Sequence, residues 1–474
     1  MIRIDLAWIA AAVNGRLIGT NRTVDSVSTD TRELPKGCLF IALKGPNFDA
    51  HNFIAQALQH GAAACVVERE LSSDEAQGAP YIVVKDTRHA LGLLGAAVKA
   101  YVAPKTIAIT GSSGKTTVKE MLAAILSRRG SVLATAGNFN NDIGVPLTLL
   151  RLEPHHQFAV IELGANHLGE IAYTTGLTLP DVAIINNVAP AHVEGFGSVH
   201  GVYHAKSEIF RGLVPNGLAL TPFHSEFAPG WAQQLGHVQH ETFGQAVADE
   251  QAAQPTVQAH EIKIRANGCA EFEVKLTGAN AQQGHILLSL PGLHNVDNAL
   301  VAIRAAIAVG CALEDCQHAL ANLTPVAGRL NVIAISDNLQ LIDDSYNANV
   351  GSVKAAINML AVYPGYRMLV LGDMGELGSQ AREYHAEVGQ HALNTGINNL
   401  FTLGVLSQSA SDAFNGQGGQ HFSNLDSLVA AIKQVIAAQQ GVQMVTILVK
   451  GSRSARMERV IEALQQQEEG QHAC

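Results

Sequence analysis

The stretch from Lys105 to Thr117, KTIAITGSSGKTT, constrains everything else in the chain. Ile107-Ala108-Ile109 predicts a short buried strand, and Val118-Lys119-Glu120-Met121-Leu122 opens a helical pattern directly behind the loop. Strand, glycine loop, helix N-terminus is the local order that phosphate binding requires. Glycine lets the backbone turn until successive N–H groups point at phosphate oxygens, and the positive end of the helix adds to that field. In such a loop Gly111, Ser112, Ser113, Gly114 and Thr117 cradle the anion. Lys115 reaches the β- and γ-phosphates, and the Thr116 hydroxyl ligates Mg²⁺. The general pattern G-x-x-x-x-G-K-[ST] would place its first glycine at 109, where Ile109 stands, so this is a shorter form. The alternative is a Gly/Ser turn ahead of an ordinary helix. Gly-Lys-Thr-Thr set between strand and helix favours a nucleotide site.

A chain of 474 residues holds two or three domains, each large enough for its own core. With 47% hydrophobic and 15% charged residues the composition is that of a globular protein. A net charge of −10 argues against nucleic acid as a partner. It also obliges any phosphate site to build its own local positive field. The six cysteines form neither a CxxC pair nor a zinc spacing, which suits reduced thiols in a cytoplasmic protein. The first residues, with Asp5 inside a short apolar run, read as an amphipathic helix rather than a signal peptide. No apolar run is long enough for a span, so no membrane insertion is expected, and a monomer is the default.

Residues 1–84 mix short strands and helices into a small α/β domain. Strands are expected over 24–32, 38–43, 64–67 and 81–84, a helix over 51–61, and a polar loop over 72–80. Residues 85–323 form the central domain, with a helix from about 87 to 101, the loop strand, and strands at 158–162 and 182–187. Alternating segments between about 221 and 290 read as an antiparallel subdomain, followed by a helix from 294 to 309. Residues 324–474 alternate again, with strands near 340–344, 368–373, 399–404 and 445–450, in the manner of a Rossmann-like unit. The tail from Gln465 is polar and expected to fray. The fold class is therefore α/β in three domains, with a doubly wound sheet at the centre.

Ligands of doubly wound sheets sit beyond the carboxyl ends of parallel strands, where Glu162 and His192 fall. Glu162 is a candidate Mg²⁺ ligand beside Thr116, against a bland role as a capping carboxylate. A lone loop histidine such as His192 is more often hydrogen-bonded than ligating, and Lys206 on a helix would ordinarily be a solvated face. The amide-rich loop around Asn138, Asn140 and Asn141 suits a sugar- or peptide-like ligand as well as it suits an Asx turn. The run Asp343-Asp344-Ser345-Tyr346-Asn347-Ala348-Asn349 divides just as evenly. The residues by themselves give a multidomain enzyme consuming a nucleoside triphosphate.

Taken in order, these motifs resemble the Mur ligase family, the amide-bond ligases of peptidoglycan precursor synthesis. The resemblance spans the chain: TGSSGKTT, Glu162-Leu163-Gly164-Ala165, His192, Ala205-Lys206, His294-Asn295-x-x-Asn298-Ala299, Gly328-Arg329 and the run from Asp343 to Asn349. Residues 137–146, 162–167, 194–198, 371–378 and 450–454 are similar to the branch that joins D-Ala-D-Ala to UDP-MurNAc-tripeptide. That resemblance implies ATP in the central domain, with Lys115 on the phosphates and one Mg²⁺ on Thr116 and Glu162. It implies a second Mg²⁺ on His192 and Lys206, the lysine as a carbamate. It also implies Asn295 and Asn298 near adenine, Arg329 on phosphate, and Asp344, Tyr346 and Asn347 facing the ribose and base. Ser28, Asp30 and Arg32 would hold the UDP moiety, Asn138, Asn140 and Asn141 its sugar-peptide part, and Ser452 and Arg453 the dipeptide carboxylate. Two rivals stand beside it: a folylpolyglutamate synthase, which begins near its phosphate loop, and a P-loop binding protein without catalysis.

Overall fold

The computed structural model describes residues 1–190, 193–249, 251–278, 281–414, 418–439 and 441–471. The strand Lys105–Thr110 lies inside a nine-stranded sheet. From one edge the order is Ser131–Ala134, His156–Glu162, Lys105–Thr110, Val182–Ile185, Leu218–Pro222, Gln239–Gln245, Val257–Ile264, Cys269–Leu276 and Gln282–Pro291. The first seven run parallel and the last two turn antiparallel. The antiparallel segment expected over about 221–290 is only partly so: Gln239–Gln245 and Val257–Ile264 extend the parallel sheet, and antiparallel pairing is confined to Cys269–Leu276 and Gln282–Pro291 at its edge.

Parallel strands need helices on both faces, which explains their unbroken apolar runs. Ile107, Ile109, Val160 and Ile184 pack beneath the helices Lys115–Leu126 and His294–Ala308. Ala108, Ile161, Ala183 and Ile185 face the helices Thr87–Val102, Gly144–Leu149 and Glu170–Thr178. After Lys105–Thr110 the chain builds the sheet toward one edge, and after His156–Glu162 it crosses to the other side. The resulting switch point opens a crevice at the carboxyl ends of these strands.

The N-terminal sheet orders Arg16–Ile18, Tyr81–Val83, Ala64–Val67, Leu39–Ile41 and Val27–Ser28. The strand expected over 24–32 is instead two short pieces, Thr23–Val24 and Val27–Ser28, in different sheets. It ends at Ser28 because the Ser28 hydroxyl takes the Asp30 N–H at 3.1 Å and turns the backbone away. The loop expected over 72–80 begins with a helical turn, Ser73–Ala76, held by a Ser72/Glu75 capping box. Leu6 and Ile9 of the first helix, Leu6–Ala12, share one apolar cluster with Leu91 and Leu94 of Thr87–Val102, which seats this unit on the central one.

The C-terminal sheet orders Asn331–Ser336, Leu339–Asp344, Val445–Lys450, Tyr366–Gly372, Asn399–Leu403 and Gly419–Phe422. Two of these strands lie outside the four expected. Asn331–Ser336 is an edge strand never fully buried, and Gly419–Phe422 is short, so neither has a continuous apolar run. The tail remains helical over Glu458–Gln471, anchored by Val460, Ile461 and Leu464, where fraying from Gln465 was expected. Among the described residues no helix is long and apolar enough to cross a membrane.

Candidate active site

The phosphate loop is held from behind by two asparagines that follow the strand Val182–Ile185. Ser113 N–H donates to Asn187 Oδ1 at 2.9 Å, and both Asn186 and Asn187 donate through Nδ2 to the Ser113 carbonyl at 3.0 Å. Asn186 also donates to Asn298 Oδ1 at 2.9 Å, and Asn298 to Asn295 Oδ1 at 2.8 Å. Gly114 has φ +77°, and a Cβ there would lie 2.5 Å from Asn186 Nδ2 and 2.8 Å from Asn298 Oδ1. Both conformation and space therefore require glycine. Lys115 curls back over the loop, its Nζ donating to the Gly111 carbonyl at 2.8 Å.

Thr116, at the start of the following helix, donates to Glu162 Oε2 at 3.0 Å, and Asn140 Nδ2 donates to Oε1 at 2.9 Å. Glu162 is 3% exposed and has no direct cationic partner among the described residues. A buried carboxylate beside a threonine hydroxyl is a hard-oxygen pair suited to Mg²⁺. Lys206, on the helix Val199–Ser207, is 2% exposed, and its ammonium makes no hydrogen bond or ion pair among the described residues. Burial pushes its pKa well below the ordinary lysine value, and the nearby Lys115 charge pushes the same way. Burial also lowers Lys115, against the pull of Glu162. A neutral amine beside a phosphate loop can react with CO₂, and the resulting carbamate is another oxygen donor. His192 lies outside the described residues. Among those described, no cluster of three His, Cys, Asp or Glu could hold a metal, and the oxygen donors beside the phosphate loop are Thr116 and Glu162.

The opposite wall comes from the C-terminal sheet. The Arg329 guanidinium stands 4.4 Å from the centroid of the Tyr346 ring, and Arg453 lies 5.8 Å from the same centroid. Lys450 donates to Asp344 Oδ2 at 2.5 Å and to the Asn347 carbonyl at 3.0 Å. Burial raises the Asp344 pKa, with Lys450 pulling it back down. Burial, assisted by the Lys450 charge, depresses His294 to about 4 and keeps its imidazole neutral. Asn349 Nδ2 reaches across to the Ser112 carbonyl at 3.1 Å and ties the two walls together.

Between the walls is a cavity of about 670 Å³. Ser112, Ser113, Gly114, Lys115, Thr116, Thr117, Asn138, Asn140, Glu162, Lys206, Asn295, Asn298, Arg329, Asp344, Tyr346, Asn347 and Arg453 all line it. Other expected residues lie outside its wall. Asn141 uses Oδ1 to accept the Gly144 N–H at 2.8 Å, and the buried Ser452 hydroxyl bonds Ser454 at 3.0 Å. Ser28, Asp30 and Arg32 sit in the N-terminal unit, where Arg32 chelates the Asp30 carboxylate and holds its pKa down at about 2. Sequence reading assigned no role to Asn186, Asn187, Asn349 or Lys450. The doubled asparagine after a buried strand was the available signal for the first two; Asn349 and Lys450 carry none without a partner.

Fold and cavity together define a P-loop nucleotide-binding protein with a Rossmann-like C-terminal lobe. Three family models match the chain: Mur ligase family, catalytic domain, over residues 23–99; Mur ligase middle domain, over 109–306; and Mur ligase, glutamate ligase domain, over 328–453. The chain belongs to the Mur ligase family. It is 47% identical over 466 residues to the UDP-N-acetylmuramoyl-tripeptide–D-alanyl-D-alanine ligase of Escherichia coli, covering 98% of this chain and 99% of that one. It is 34% identical over 473 residues to the ligase of the same name from Bacillus subtilis, with 98% and 99% covered. Among solved structures, MurF from Acinetobacter baumannii aligns at TM-score 0.90 and 36% identity, covering 98% and 99% of the two chains. MurF ligase from Thermotoga maritima, in complex with ADP, aligns at 0.80 and 26%, covering 94% and 98%. A folylpolyglutamate synthase from Mycobacterium tuberculosis, at 15% identity, shares the fold.

Proposed function

We propose that this chain is an ATP-dependent ligase that joins D-Ala-D-Ala to UDP-MurNAc-tripeptide in peptidoglycan precursor synthesis. The observation that carries this reading is one cavity in which a phosphate loop, the Thr116–Glu162 oxygen pair and the buried Lys206, unpaired among the described residues, face Arg329, Asp344 and Lys450. A phosphate-binding protein without catalysis has no use for a second buried lysine held without a partner. The names of the full-length relatives support the choice of substrates.

In this reading residues 1–84 bind the UDP substrate through Ser28, Asp30 and Arg32, residues 85–323 bind ATP, and residues 324–474 close over it. Lys115 swings from the Gly111 carbonyl onto the β- and γ-phosphates. Asn295 and Asn298 flank the adenosine, and Arg329, Asp344, Tyr346 and Asn347 complete its site. Thr116 and Glu162 would hold one Mg²⁺, and His192 with carbamylated Lys206 would hold a second. When bound, such ions would supply Lewis-acid screening of the phosphate charge. Asn138 and Asn140, on the cavity wall, position the tripeptide so that its terminal carboxylate attacks the γ-phosphate in line, giving an acyl phosphate and ADP. The dipeptide amine then adds to the acyl carbon and phosphate leaves, while Arg453, on the cavity wall, holds the dipeptide carboxylate. Closing the two walls keeps water from the acyl phosphate. The protein acts as a monomer in the cytoplasm.

An isotope experiment tests the sequence of steps. With ¹⁸O in the tripeptide's terminal carboxylate, one ¹⁸O should appear in the released phosphate, and a UDP-MurNAc-pentapeptide should be seen by mass. Phosphate without label, or product formed with a single amino acid in place of the dipeptide, would overturn the reading.

A further inference from the structure

The loop that brings Asn138 and Asn140 to the cavity wall rests on the helix Thr87–Val102, which follows the last strand of the N-terminal sheet. The seat is made at positions 88, 92 and 95, the spacing of one helix face. The Arg88 guanidinium pairs with the Asp142 carboxylate of the loop. A Cβ on Gly92 would come within 2.0 Å of the Tyr173 hydroxyl, and one on Gly95 within 3.1 Å of the Pro146 backbone. Glycine is disfavoured inside a helix, so two of them on this face mark where neighbouring chain must come close. Pro146 belongs to the helix Gly144–Leu149, which continues directly from the loop.

Both sides of this seat are fixed. On the loop side, Asn140 Nδ2 donates to Glu162, the Asn140 carbonyl accepts the Gly164 N–H at 2.8 Å, and a Cβ on Gly144 would lie 2.4 Å from the Phe139 Cα. On the helix side, the first residue is fastened to the N-terminal unit: Glu68 Oε1 accepts the Thr87 N–H at 3.0 Å and the Thr87 hydroxyl at 3.1 Å. The Glu68 N–H donates in turn to His51 Nε2 at 3.0 Å, and His51 Nδ1 bonds Asp49 at 2.6 Å. His51 and Thr87 are both buried. Arg88 is the next residue along, so its ion pair joins the N-terminal unit to the loop. The Arg88 side chain is 50% exposed and that of Asp142 20%. A pair so open to water adds little to stability, and its use is geometric.

Resting on the reading that the substrate's UDP end sits on residues 1–84 and its tripeptide end beside Asn138 and Asn140, we propose that Arg88 is a positioning residue for the UDP-linked substrate. Through Asp142 it holds the tripeptide loop at a fixed distance from the unit that takes the nucleotide end. One molecule can then engage both without ordering the loop as it binds, which lowers the entropic cost of association.

Initial rates against UDP-MurNAc-tripeptide concentration test this in the parent, R88A, D142A and the double variant R88A/D142A. Each single variant should raise the KM for UDP-MurNAc-tripeptide about tenfold, with kcat and the KM for ATP within about twofold of the parent. The double variant should be no worse than either single one, because both remove the same pair. General loosening of the central domain would move the ATP constant as well, so a matching rise in both KM values would overturn the proposal. An effect of R88A with D142A at the parent value would also overturn it, since the guanidinium would then touch the substrate itself. Unchanged constants in both single variants would do the same while leaving the ligase reading intact. A parent enzyme that does not turn over UDP-MurNAc-tripeptide would remove the ligase reading itself.

Discussion

The two walls of the nucleotide cavity are built in opposite ways. On the central side, successive residues of one loop are fastened by amides from Asn186, Asn187 and Asn298, and the key lysine is parked on its own loop carbonyl. On the C-terminal side the groups come from separate places in the chain: Arg329 from the segment between the sheets, Asp344 and Lys450 from the ends of adjacent parallel strands. The first wall is preorganised by neutral hydrogen bonds and leaves the buried Lys206 without a counter-charge among the described residues. The second neutralises its own buried charges in an Asp344–Lys450 pair. The central wall is therefore where the nucleotide's charge is felt most, and the other wall serves to close on it.

Removing Lys115 tests that contrast hardest. K115A should reduce kcat by about 10³-fold or more, because the lysine of the loop itself is lost from the β- and γ-phosphates; steady-state phosphate release reads this out, with retained ADP affinity within tenfold showing that the loop still folds. K206M should also abolish turnover, yet stabilise the metal-free protein by about 1–3 kcal/mol, since an unpaired buried ammonium is exchanged for a shape-matched apolar chain. The sign with pH follows from the depressed Lys206 value. In the folded chain its proton leaves well below the ordinary 10.5, so the parent gains stability as pH rises toward 10.5. The advantage of K206M in thermal unfolding should narrow over that range, and an advantage constant with pH would count against a buried ammonium.

On the C-terminal wall, D344N should leave Lys450 buried without its counter-charge and cost about 3–5 kcal/mol in denaturant unfolding, the scale for breaking a buried pair. The nucleotide KM should rise, and the double variant D344N/K450M should recover much of the stability. The smallest effect is expected from N349A, which removes the hydrogen bond joining the walls, worth about 1 kcal/mol. It should raise the nucleotide KM several-fold and, because Asn349 Oδ1 also caps the helix Val350–Ala361 by accepting the Ser352 N–H, lower thermal stability by about 1 kcal/mol.

The contrast also explains what could be read from the sequence. The central wall was legible because a phosphate loop is local: strand, glycines, lysine and helix follow one another within a dozen or so residues, and Glu162 ends the next strand in the sheet. The parallel strands announced themselves by apolar runs that need both faces covered. Lys450 and Asn349 were not legible, since their roles depend on strands and loops that only the register of the C-terminal sheet brings together. Lys206 could be placed by resemblance alone, because a lysine on a helix carries no mark of burial. The edge strand Asn331–Ser336 escaped notice for a related reason, being half exposed along its length. The break after Ser28 came from side-chain competition for the backbone, which alternation of residues does not reveal.

The most direct test of the central claim is phosphate release from ATP with Mg²⁺, UDP-MurNAc-tripeptide and D-Ala-D-Ala, leaving out one component at a time. If the two walls close to make one ligase site, release should require both peptide substrates and match pentapeptide formation one for one. Rapid release without the dipeptide would contradict that account, because the acyl phosphate would then be open to water.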